Sequence, residues 1–162
     1  MEFDIEQTDN LLSTTRAVRQ RLDLERDVPD DLLLRCIELA EQAPTGAGVS
    51  SRRWIIVRDL ETKSQLADLY RAAGGSRAIE RSEERQRAGD VQDRVGDSAA
   101  YLAANLEKVP ALVIATIWGV HDGSGRPGLF DSVIQAAWSF CLALRSRGLG
   151  SAWTTMHLGK AK

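Results

Sequence analysis

Two arginines, Arg16 and Arg19, stand three residues apart in "TTRAVRQRL". On a helix that spacing puts both guanidinium groups one turn apart on the same face, where they can converge on a single anion. Residues 43 to 54, "APTGAGVSSRRW", form a second candidate. Pro44, Gly46 and Gly48 suit a turn whose backbone approaches a ligand closely, and Arg52 and Arg53 follow at once. A third lies in "SAWTTM", where Trp153 precedes the polar Thr154 and Thr155 and could stack on a flat ligand. Trp118 and Trp138 sit in apolar stretches and are expected in the core.

Other chemistries find less support. Neither "PTGAG" nor "HLGKAK" carries the Gly-Lys-Ser/Thr ending of a phosphate-binding P-loop. No Gly-x-Ser-x-Gly elbow occurs, and only His121 and His157 could act as a base. His121 with Asp122 lacks a spaced third ligand, so a surface position is expected and no metal. Cys36 and Cys141 fall on apolar helix faces and are expected to be buried structural thiols. With a net charge of −2 the chain has no sequence-wide attraction for nucleic acid or anionic lipid, so a small anion is the better ligand. The longest apolar runs are too short to span a bilayer and the acidic N-terminus lacks a signal-type apolar region, which together predict a cytoplasmic protein with no membrane contact.

These candidates need elements to hold them. At 162 residues and 43% hydrophobic content, the chain reads as a single domain over residues 1–162. A helix is expected over Thr8 to Arg21, then a second opened by Pro29 and Asp30 and closed before Pro44, with Leu33, Ile37 and Ala40 on one stripe. Trp54 to Val57 reads as a buried strand, and Leu66, Leu69 and Tyr70 mark the helix after it. Residues 74–98 are rich in charges of both signs and predict a mobile excursion or a solvated helix. "SAAYLAANLEKVP" is a helix stopped by Pro110, and "ALVIATIWG" is the most apolar strand, the candidate sheet centre. Phe130, Val133, Ile134, Ala137, Trp138, Cys141 and Leu142 describe a helix apolar around much of its circumference, suited to deep burial, including against a partner chain. It ends in "RSRGLG", and "SAWTTM" is expected as a third strand. The fold class is therefore α+β, with helices around at least three short strands.

Three separated stretches resemble the flavin-dependent nitroreductase-like oxidoreductases: "TTRAVRQRLD" their Arg-rich flavin motif, "APTGAGVSSRRWIIVRD" their Ala-Pro-Ser/Thr-Gly loop and following strand, and "WSFCLALRSRGLGSAWTTMHL" their core helix and flavin-edge strand. "AAYLAANLEKVPALVIATI" agrees in character, and the resemblance covers most of residues 8–158. It implies a mixed sheet flanked by helices, with the long buried core helix at a homodimer interface and flavin sites shared between the two chains. It also implies FMN as cofactor, NAD(P)H as electron donor, and ping-pong reduction of a nitroaromatic, quinone or similar small-molecule acceptor. The chemistry lies on the flavin, so no catalytic side chain is expected.

Residue by residue, the resemblance gives Arg16 to the FMN phosphate and Arg19 to the pyrimidine edge. Ala17 stands where many members have serine and contributes only backbone. Thr154, Thr155 and Met156 match the strand passing the flavin edge, which Trp153 begins. Pro44, Thr45, Gly46, Ala47, Gly48 and Ser50 close over the flavin of the opposite subunit. Two features depart from the pattern. Many members follow the loop with Ser-Asn-x-Gln and an aromatic residue, where this chain has Ala47, Gly48, Val49, Ser50 and Arg52. The family's C-terminal arm is missing, and the chain reads as truncated there. These departures support an alternative, a degenerate member that binds or sequesters flavin without turnover.

Overall fold

The computed structural model describes residues 2–45, 51–90, 93–118 and 127–159. Its elements in chain order are helices α1 (Ile5–Thr14) and α2 (Asp30–Ala40), strand β1 (Arg52–Val57), and helices α3 (Leu60–Tyr70), α4 (Ser76–Ala88) and α5 (Arg94–Asn105). Strand β2 (Leu112–Ile117) and helix α6 (Pro127–Arg145) follow. Contacts divide the chain into two compact units. The first comprises Met1–Ala17, Val28–Ile56 and Val113–Ser151, and the second Val18–Asp27, Val57–Leu112 and Ala152–Lys162. The α+β class stands, and no helix among the described residues is long and apolar enough to cross a membrane.

In the first unit, α2 packs on α6. Leu33, Cys36 and Ala40 form the buried stripe of α2, with Ile37 half-buried at its edge, and α6 buries Ala136, Ala137, Phe140, Cys141, Ala143 and Leu144. The alanines let the helix backbones approach, while Phe140 supplies volume and meets Trp54 of β1 with ring centroids 5.3 Å apart. Both cysteines are free and buried, and burial pushes both thiols above their ordinary value. α6 closes with Gly148 at φ 77°, where the Leu149 amide donates to the Leu144 carbonyl at 3.0 Å and the Gly148 amide to Arg145 at 3.1 Å. This paired closure satisfies the carbonyls left over at the helix end.

β1 and β2 run antiparallel and are the one sheet among the described residues. Their register is fixed by the Trp118 amide donating to the Ser51 carbonyl and the Thr116 hydroxyl donating to the Arg53 carbonyl. Both strands are half-covered, and Ile55 points outward, so the fully buried β1 expected from its apolar run is corrected. A two-stranded sheet has no centre, which also corrects the place expected for β2. The third strand expected at "SAWTTM" does not form among the described residues: residues 151–155 form no ladder, and Met156–Gly159 is a short 3-10 helix. An extended segment becomes a strand only when a neighbour pairs with its amides, which an apolar pattern cannot guarantee.

The second unit is built on Ala67, Tyr70, Leu102, Ala103 and Leu106, against which Leu22, Ile79, Leu112, Ala152 and Met156 pack. Each large side chain removed from water here contributes about 1.5–3 kcal/mol. Within residues 74–98, α4 is a largely exposed helix tied to α5. The Ser82 hydroxyl and Arg85 Nη2 donate to Asp97 Oδ1 at 2.6 and 3.1 Å.

Candidate functional site

The helix expected to carry Arg16 and Arg19 stops before reaching either. Asp4 caps α1 by accepting the Gln7 amide at 3.0 Å, and the Thr14 and Thr15 hydroxyls each donate to the carbonyl four residues back at 2.6 Å. Those carbonyls belong to the last turn, where the Leu11 carbonyl also accepts the Thr15 amide at 3.2 Å, and Thr15 itself is extended at φ −66°, ψ 123°. The expected one-turn juxtaposition of Arg16 and Arg19 is therefore corrected. Arg16 and Ala17 are exposed in the first unit, while Arg19 is half-buried in the second.

Their electrostatic state nevertheless suits an anion. Five arginines among the described residues are buried or half-buried: Arg19, Arg52, Arg58, Arg71 and Arg85. Four pair with carboxylates, Arg52 with Glu41, Arg58 with Asp27, Arg71 with Asp68 and Glu107, and Arg85 with Asp93 and Asp97. Arg19 pairs with none among the described residues; its Nη1 reaches only the Ser98 hydroxyl, at 3.4 Å. Arg16 Nη1 donates to the carbonyl of its neighbour Thr15 at 2.8 Å and meets no carboxylate among the described residues. A phosphate or an electron-rich ring edge needs positive charge that is not already neutralised, and these two side chains offer it.

Pro44 and Thr45 leave the end of α2 in the first unit, and Gly46, Ala47, Gly48 and Ser50 lie outside the described residues, as do His121 and Asp122. What anchors the loop's entry is Arg52, whose role the sequence reading missed. It is 3% exposed. Its Nη2 donates to the Glu41 and Ala43 carbonyls at 2.9 and 3.1 Å, and its Nη1 to Ser132 and Pro44 at 3.2 and 3.3 Å. Glu41 Oε1 lies 3.2 Å from Arg52 Nε and accepts the Trp54 indole N–H at 2.7 Å. The available signal was strand parity: extending β1 back from Trp54 puts Arg52 on the Trp54 face and Arg53 on the opposite one.

In the second unit, Trp153 and Thr155 are exposed, Thr154 is half-buried, and Met156 packs on the core around Tyr70. A Cβ placed at Gly74, whose φ is 141°, would lie 3.4 Å from Met156 Sδ, so this glycine lets the chain turn against the thioether. Trp118 and Trp138 are exposed as well, correcting the expectation that both are core. Among the described residues no cluster of three or more His, Cys, Asp or Glu could hold a metal ion.

A family model described as the Nitroreductase family matches residues 12–161. The chain belongs to the nitroreductase family. No match is found among curated proteins. Solved structures share the fold. The FMN-dependent nitroreductase NfnB from Mycobacterium smegmatis, in complex with NADPH, is 17% identical with a TM-score of 0.62, the match covering 91% of this chain and 73% of that one. A nitroreductase-like family protein from Bacillus cereus is 20% identical with a TM-score of 0.59, covering 96% and 72%. An iodotyrosine deiodinase bound to FMN and 3-iodo-L-tyrosine is 25% identical with a TM-score of 0.57, covering 90% and 73%. Nitroreductase-family membership makes an oxidoreductase the coarse assignment, and the deiodinase indicates that the fold serves more than one reaction.

Proposed function

We propose that this chain is an FMN-dependent NAD(P)H oxidoreductase that reduces nitroaromatics, quinones or similar acceptors in a ping-pong cycle, working as a homodimer in the cytoplasm. The observation that carries the reading is the family match over residues 12–161, supported by Arg16 and Arg19, neither of which pairs with a carboxylate among the described residues. FMN, when bound, would supply the hydride-transfer chemistry between NAD(P)H and the acceptor. The chain's own task is binding, orientation and local charge. Arg16 would hold the phosphate, and Ala17 would contribute only its backbone. Arg19 would face the pyrimidine edge, where its positive charge favours the reduced, more negative ring. Trp153, Thr154, Thr155 and Met156 would line the flavin edge. Pro44, Thr45, Gly46, Ala47, Gly48 and Ser50 would cover the flavin of a second copy.

The test is the visible spectrum of the purified protein titrated with FMN. The wild type is expected to take up FMN, turn yellow, and bleach when NAD(P)H is added without oxygen. Arg16→Ala with Arg19→Ala is expected to weaken FMN binding by more than the roughly 1 kcal/mol of a surface ion pair. A protein that stays colourless in excess FMN, with no change in flavin fluorescence, overturns the reading. FMN uptake without multiple turnover selects instead the member that sequesters flavin, a reading favoured by Gly48 and Ser50 standing where amide side chains are expected.

A further inference from the structure

We propose that Arg52 is a positioning residue for the flavin-covering loop, pinning its first residues to α2 and α6 from within the protein. The inference rests on the flavin reading above. α2 ends at Ala40, and the chain then turns through Glu41, Gln42 and Ala43 into Pro44, whose nitrogen carries no hydrogen. The amides of Glu41, Gln42 and Ala43 are satisfied by Ile37, Leu39 and Ala40 at 2.9 to 3.2 Å. The carbonyls of Glu41, Ala43 and Pro44 converge on the planar fork of Arg52, with the Ser132 carbonyl of α6 as the fourth acceptor. These are charge-assisted bonds at the negative end of a helix dipole, and the Glu41 carboxylate balances the buried charge. An apolar side chain could fill the same volume, but it could not fix the direction of the Glu41, Ala43 and Pro44 carbonyls. Lysine could keep the charge, but its single ammonium cannot span the four acceptors held by a guanidinium fork.

The test uses full-length Arg52→Lys beside the wild type, with two readouts. The first is amide hydrogen exchange of Ala43, whose N–H donates to the Ala40 carbonyl at 3.0 Å, in flavin-free protein. It is expected to speed up by at least about tenfold in the variant while the amides of α2 keep their protection. The second is the FMN dissociation constant, expected to rise by about tenfold or more, because a misplaced segment loses aligned contacts. Unchanged Ala43 exchange in a folded variant overturns the proposal. Faster exchange with unchanged FMN affinity also overturns it, since Arg52 is then structural only. Failure of the flavin reading itself would appear in the wild type as no FMN uptake, and so is separable from failure of the Arg52 role. Should Arg52→Lys not fold, proton exchange at the wild-type guanidinium decides. Arg52 Nη protons at least about tenfold slower than those of exposed Arg26 support the role, and equal rates overturn it.

Discussion

Asp97 accepts the Ser82 hydroxyl and an Arg85 donor, and those two bonds hold its carboxyl below the ordinary 3.8. Glu107 behaves alike by a different balance. Burial works to raise it, but a backbone hydrogen bond and Arg71 outweigh burial and leave it below 4.5. A carboxyl lowered in the folded state stabilises the fold above its unfolded value, and that stability is lost as pH falls through the folded one. Both carboxylates lie in the second unit, so acid acts on α4, α5 and the turn after α5 together. The expected outcome is a melting temperature that drops steeply once pH falls below the 3.8 of an unfolded aspartate. Asp97→Asn is expected to melt lower at neutral pH and to lose part of that acid dependence. Parallel wild-type and variant curves across the acid range would remove Asp97 from the effect.

Two glycines separate strain from crowding at the scale of elements. Gly148 closes α6 in the left-handed region with nothing within 4 Å of an added Cβ, so alanine there meets only backbone strain, about 1 kcal/mol. Gly75 has an ordinary helical φ of −61°, yet an added Cβ would lie 3.0 Å from the Tyr70 carbonyl and 3.1 Å from Ala103 Cβ. Overpacking against backbone and core costs about 1–3 kcal/mol. Gly75→Ala is therefore expected to lower stability in urea more than Gly148→Ala, and the reverse order would contradict the packing at Gly75. The contrast also tells what the sequence could reveal. Gly148 was legible because "RSRGLG" follows a long apolar helix, α2 and α5 were legible from periodicity and their prolines, and α3 from periodicity alone. Gly75 was not, because its neighbour Ala103 lies 28 positions away (103 − 75) and no local pattern encodes that contact. The end of α1 was misread because the run Ser13, Thr14, Thr15 closes the helix through side-chain hydroxyls. The anchoring role of Arg52 was missed because a charge beside a candidate ligand loop gives no local sign of burial until the strand's inward face is drawn.

At the scale of the whole molecule, the outstanding feature is the outward face of α6. Ile134 and Trp138 lie one turn apart on this apolar helix and are 48% and 44% exposed in the single chain, against the deep burial its composition predicts. Burying a side chain of this kind contributes about 1.5–3 kcal/mol, so an apolar pair aligned on one helix favours association with a second copy. A homodimer through α6 is the assembly proposed with the flavin sites, and it makes binding depend on association, since the covering loop would come from the other chain. Ile134→Glu with Trp138→Glu places two like charges on each face and opposes them across the interface. The expected outcome is a wild type of twice the chain mass by light scattering, a monomeric variant that stays folded by circular dichroism, and weaker FMN binding in that variant. A wild type that is monomeric at every concentration tested removes the dimer. A monomeric variant with undiminished FMN affinity removes the sharing of the site, because flavin would then be held by one chain's residues alone.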